Sequence, residues 1–118
     1  MKILDLPLKA KWYDMIESGI KIEEYRENKP FLFKRFLGTD FAYFGYRNNY
    51  QSCNVKGYTH VRFRYGYTKR TMLFELKGIV FGLGREDWGA PKDRDVFILK
   101  LGNKIKEDYQ WIARRNNN

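Results

Sequence analysis

The sequence predicts an α+β fold, a small mixed domain built on a curved sheet. Three observations predict it. One helical period stands between early strand-like segments, several later runs alternate apolar and polar residues, and the longest run carries an internal glycine. At 118 residues the chain is a single domain, 1–118, with a loop excursion at 38–58 and a tail at 103–118.

The elements follow in order. Lys2 to Leu6 alternates and reads as a first strand. Pro7 suits the opening of a helix, where a missing N–H costs nothing. Leu8, Trp12, Met15 and Ile16 then fall on one helical face, and Gly19 after Ser18 is placed to end the helix. Residues 20–26 leave that period and turn into a strand. Pro30 opens a second short helix with Phe31, Phe33 and Phe36 or Leu37 at its apolar positions. Val61, Phe63 and Tyr65 share one strand face, and Arg62 and Arg64 share the other. Met72 to Phe81 is a long strand with Gly78 inside it, where a bulge or bend is expected. A glycine-rich connection centred on Trp88-Gly89 leads to Asp95–Leu101, apolar on both faces and therefore a central strand. In the tail, Ile105, Tyr109 and Ile112 allow a short helix.

Composition narrows the function. Hydrophobic residues make up 43% and charged residues 31%, which excludes a disordered tail. No stretch approaches the ~18 apolar residues of a membrane span, and no secretory signal pattern is present, so the expectation is a soluble, cytoplasmic domain without a membrane partner. Cys53 has no partner for an internal disulfide; with His60 as the one histidine, no metal site and no cofactor are expected. Neither residue is assigned chemistry.

The net charge is +9, with +3 in residues 1–60 and +6 in residues 61–118. Between Asp40 and Glu75 there is no carboxylate, yet ten of the 21 aromatic residues lie there, among Arg47, Lys56, Arg62, Arg64, Lys69 and Arg70. Basic groups attract phosphates, and aromatic faces stack on unpaired bases. A single-stranded RNA or a nucleotide-like ligand uses both. A lipid surface does not explain the tyrosines. The competing reading is an aromatic core in a generally basic domain.

Three stretches carry a resemblance. The first runs from Leu6-Pro7-Leu8 through Trp12 to Ser18-Gly19-Ile20-Lys21-Ile22-Glu23-Glu24-Tyr25-Arg26. The second is Val61–Tyr67 with Glu75–Ile79, and the third Glu86–Pro91 with Val96–Gly102. Together they resemble the ASCH domain family of the PUA-like superfamily, through its Gly-x-Lys-x-x-(Glu or Thr)-x-Arg signature and the order of the later strands. The resemblance implies a small PUA-like β-barrel of about five to six mostly antiparallel strands with flanking helices. It also implies a cleft and RNA binding; some members are amidohydrolases acting on acetylcytidine, or ribonucleases.

On that resemblance Lys21 faces the cleft, to contact phosphate or polarise a carbonyl; the competing reading is a solvated lysine paired with a glutamate. A two-residue period sets Lys21 opposite Glu24 and Arg26, so a shared cleft requires Lys21 in the turn before the strand, or a bulge. Glu24 replaces the threonine nucleophile of the amidohydrolase-like members. It is a candidate general base, or an ion-pair partner of Arg26. Glu75 matches the family's later acidic residue and wants a cationic partner from Lys21, Arg62 or Arg64. Lys21, Arg26, Arg62, Arg64, Tyr67, Lys69, Arg70 and Trp88 are the candidate nucleic-acid contacts. Three functions compete: an RNA-binding module, a hydrolase using Lys21 with Glu24 or Glu75, and a module for an acidic protein partner.

Overall fold

The computed structural model describes residues 1–38 and 53–108. Along the chain come β1 (Ile3–Leu8), α1 (Ala10–Glu17), β2 (Glu23–Arg26), α2 (Pro30–Leu37), β3 (His60–Tyr65) and β4 (Thr71–Leu83). A single 3-10 turn (Glu86–Trp88) and β5 (Asp95–Asp108) complete them. The five strands form one sheet in the order β1-β3-β4-β5-β2, curled strongly into a half-barrel. β1 runs parallel to β3, and every other neighbouring pair is antiparallel. The α+β class and the mostly antiparallel strands agree with the sequence reading.

Pro7 corrects one expectation. It lies inside β1 rather than opening α1. β1 is an edge strand, where a residue without N–H loses no ladder bond. Leu8 likewise belongs to the strand, and α1 buries Tyr13 and Ile16, with Trp12 and Met15 half-buried. Gly19 follows α1 in the left-handed conformation, as its position suggests. In α2 the buried positions are Leu32, Phe36 and Leu37, while Phe31 is exposed. Phe36 and Leu37 are buried as expected, but their partner at helical spacing is Leu32 rather than Phe31; the Phe33 side chain lies outside the described ones.

β4 shows why strict alternation fails there. Its pairing with β5 shifts register at three points between Leu73 and Gly78. Beyond the last shift, Ile79 and Phe81 join Met72, Phe74 and Leu76 in the main core, while Val80 packs on a second cluster. One extra residue at a bulge exchanges the faces. The main core also takes Leu4, Leu6, Val61, Phe63 and Leu99. Phe97 lies edge-on to Phe36 and Phe81 at centroid distances of 5.0 and 5.3 Å. β5 is buried on both faces from Val96 to Leu99, as a central strand must be. It continues to Asp108, so the expected tail helix does not begin at 103; residues 109–118 lie outside the described residues, as does most of the 38–58 excursion.

Candidate functional site

Gly19 turns the chain after α1, and the Lys21 N–H donates to the Met15 carbonyl at 3.0 Å. Lys21 therefore stands in the turn before β2, the placement a shared site requires. The residue is only 2% exposed. The Nζ donates to the Trp88 carbonyl and lies 3.3 Å from Glu24 Oε1. It also sits over the rings of Tyr25 and Trp12, at 4.6 and 5.1 Å from their centroids. Burial pulls the Lys21 pKa below the usual lysine value, against the opposing pull of Glu24.

Glu24 carries the chain of charges onward. Its Oε2 accepts from Arg26 Nε at 3.1 Å, and Arg26 Nη2 donates to the Pro7 carbonyl at 2.6 Å. Arg26 thus links β2 to β1, the two edge strands of the half-barrel. Tyr25, between them in sequence, donates its hydroxyl to Glu23 at 2.9 Å and accepts from the Arg85 N–H at 3.1 Å. Burial, aided by Glu23 and opposed by the Arg85 bond, pushes the Tyr25 pKa up to about 12.

The 84–90 connection closes over this cluster by close backbone approach. A Cβ on Gly89 would stand 2.9 Å from the Trp12 ring, and its φ is +103°. One on Gly84 would meet the Tyr25 ring at 2.6 Å. Glycine lets both rings press against the chain that delivers the Trp88 carbonyl to Lys21. The Trp88 ring itself is buried with Tyr25, Ala90, Val96 and Ile98, with the Arg85 guanidinium 3.9 Å from its centroid. It is a core ring, not a wall of the cleft.

The cleft opens in front of the cluster, with a volume of about 570 Å³. Trp12, Tyr25 and Tyr67 line it with Phe31; Lys9, Arg26 and Lys29 supply cations, and Glu24 and Glu27 carboxylates. Tyr67 is 99% exposed, at the tip of the β3–β4 hairpin. Lys21 is behind this wall, and it also borders a second cavity of about 310 Å³ beside Gly19, Leu101 and Asn103.

The other candidates disperse. Glu75 accepts from the Asn103 N–H at 3.1 Å, and among the described residues no ion pair joins it to Lys21, Arg62 or Arg64. Arg62 pairs with Asp5 at 3.3 Å across β1 and β3. Arg64 donates to the Thr68 carbonyl. Arg70 pairs with Glu17 at 2.8 Å and lies against the Tyr13 and Tyr65 rings. Lys69 is exposed in the hairpin turn. The convergence expected of Lys21, Arg62, Arg64 and Glu75 is thus corrected: strand registers put the two arginines and Glu75 on ladders of β1, β3, β4 and β5 instead.

Six of the cleft residues named above escape sequence reasoning: Lys9, Trp12, Tyr25, Glu27, Lys29 and Phe31. Trp12 is half-buried near the start of α1, which leaves one side of its ring open to the cleft. His60 Nδ1 is 2.7 Å from Thr59 Oγ1, and the Cys53 thiol is buried, which raises its pKa. Among the described residues no group of three or more His, Cys, Asp or Glu is arranged to hold a metal, and no helix is long and apolar enough to cross a membrane. No family model matches the chain, and neither the curated proteins nor the solved structures contain a match.

Proposed function

We propose that the cleft binds single-stranded RNA or a nucleotide-like ligand, as the resemblance to the ASCH family implies. One observation carries the reading: a single concavity of about 570 Å³ combines a freely exposed aromatic ring, Tyr67, with Arg26, Lys9 and Lys29. Its size suits a small ligand. Tyr67 offers a face to an unpaired base, and the cations meet the phosphates. Arg26 is held in orientation by Glu24 and the Pro7 carbonyl, so little ordering remains to be done on binding.

The test is a titration of labelled single-stranded RNA by fluorescence anisotropy between 50 and 200 mM salt. Affinity is expected to fall steeply with salt and to weaken in Arg26→Ala. Absent binding, or binding indifferent to salt, overturns the reading.

A hydrolase reading is favoured by one contact, the buried Lys21–Glu24 pair at the cleft wall. Glu24 would act as base on water. Lys21 would act through Glu24, since its ammonium is already held by two oxygens. Glu75, bonded to Asn103, has no part in it. Turnover of acetylcytidine or labelled RNA that disappears in Glu24→Gln would support this reading, and turnover that survives would refer the activity elsewhere.

A further inference from the structure

We propose that a single strand seated in the cleft leaves it over the β3–β4 hairpin, its phosphates carried by Lys9, Arg64 and Lys69. The inference rests on the nucleotide reading of the cleft and assigns the direction of the strand.

The pairing of cations decides the direction. Arg62 and Arg70 each have a carboxylate at contact distance, Asp5 at 3.3 Å and Glu17 at 2.8 Å. A phosphate approaching either must compete with that partner, as one approaching Arg26 inside the cleft competes with Glu24 at 3.1 Å. Lys9, Arg64 and Lys69 have no carboxylate partner among the described residues. The Arg64 guanidinium is held by the Thr68 carbonyl at 3.2 Å, next to Lys69. The Gly66 N–H donates to the Leu8 carbonyl at 2.8 Å, which sets the hairpin beside Lys9. Tyr67, in the same hairpin turn as Lys69, lines the cleft together with Lys9.

Elsewhere on the cleft wall the positive charge is partly offset. There Glu27 lies 3.7 Å from both Lys29 and Arg94, offsetting part of their charge. On the hairpin side residues 61–74 hold four cations and no carboxylate of their own; Asp5 and Glu17 offset Arg62 and Arg70, which leaves Arg64 and Lys69 beside Lys9. With a screening length of about 10 Å at 0.1 M salt, local charge of this kind guides a phosphate chain. The tip is also shaped in advance. Thr68 donates to Tyr65 through its N–H at 3.0 Å and its hydroxyl at 2.7 Å, and Tyr65 N–H donates to Arg70 at 2.9 Å.

The experiment compares a labelled uridine dinucleotide with a decanucleotide across a salt series. For the wild type, the decanucleotide is expected to bind at least about tenfold tighter, because only it reaches the hairpin cations. Arg64→Ala and Lys69→Ala should each lower the slope of log affinity against log salt by roughly one for the decanucleotide, and leave the dinucleotide unchanged. Lys9→Ala should weaken both. Lys77→Ala and Lys92→Ala, exposed lysines away from the hairpin, should alter neither. Should the dinucleotide bind while the Arg64 and Lys69 variants keep the full slope, or the control lysines lower it equally, the track is wrong and the cleft reading stands. A wild type that binds neither ligand overturns both.

Discussion

The main core and the Lys21 cluster are both buried, yet they are held together by opposite means. Around Phe97 the contacts are apolar and unspecific in direction: Phe36, Phe81 and Leu99 fill space, and burial itself supplies the stability. Around Lys21 burial is the cost. The ammonium has lost water, and it is tolerated because Trp88, Glu24 and two rings replace that water at fixed distances. A core of the first kind accepts any side chain of the right volume. A cluster of the second kind depends on each partner being present, which is what a binding wall needs and a core does not.

One substitution in each region breaks the comparison open. Phe97→Ala and Glu24→Ala are each expected to cost about 3–5 kcal/mol in denaturant unfolding, the first by leaving a cavity and the second by stranding a buried charge. Their rescue should differ. Adding Lys21→Met to a Glu24→Leu variant removes the stranded charge and should recover most of the loss. No second substitution of that kind helps Phe97→Ala, because volume is missing rather than a partner. If the Lys21 and Glu24 substitutions simply add, the pair is not the coupled unit described above.

Gly89→Ala tests the closing connection. Its Cβ would lie 2.9 Å from the Trp12 ring, at a φ of +103°. The crowding is expected to cost about 1–3 kcal/mol, and it should change tryptophan fluorescence, since the ring it displaces is Trp12. An unchanged midpoint would mean that the connection gives way without involving Lys21.

The pH profile separates the regions again. Lys21 titrates below the usual lysine value of 10.5 in the folded protein. Between its folded pKa and 10.5 the unfolded chain binds more protons, so stability from this group rises with pH in that window. Tyr25 works the other way. Its folded pKa of about 12 lies above the ordinary 10.0, so its contribution is full below pH 10 and is lost as pH rises from 10 toward 12. Lys21→Met should remove the rising limb, and Tyr25→Phe the falling one, in unfolding midpoints measured from pH 8 to 12. Phe97→Leu should shift the whole profile without changing its shape.

The two regions also differ in how far the sequence reveals them. The β3 faces, the central character of Val96–Leu99 and the helix stop at Gly19 are legible because periodicity and turn chemistry act locally. The position of Lys21 in a turn beside Glu24 and Arg26 is legible for the same reason, all three lying within six residues. Glu75, Arg62 and Arg64 were expected in the cleft and are elsewhere, because strand register is set by pairing across the sheet. Likewise, no local pattern reports that the Trp88 carbonyl reaches Lys21 across 67 residues; the bulge expected at Gly78 is present, but the register shifts that begin already at Leu73 are set by pairing with β5.

The smallest effect on stability belongs to Tyr67, and it bears most directly on function. At 99% exposure the ring has no packing to lose, so Tyr67→Ala should move the unfolding free energy by less than about 0.5 kcal/mol. If the ring stacks on a base, the same substitution should weaken single-stranded RNA binding by about 1–3 kcal/mol, while Tyr67→Phe keeps most of the affinity. A phosphate-only polyanion should bind the wild type and Tyr67→Ala alike, since it has no face to stack. Equal losses for RNA and polyanion would make Tyr67 a general surface contact, and the aromatic half of the cleft's chemistry would then have to reside in Trp12 and Tyr25.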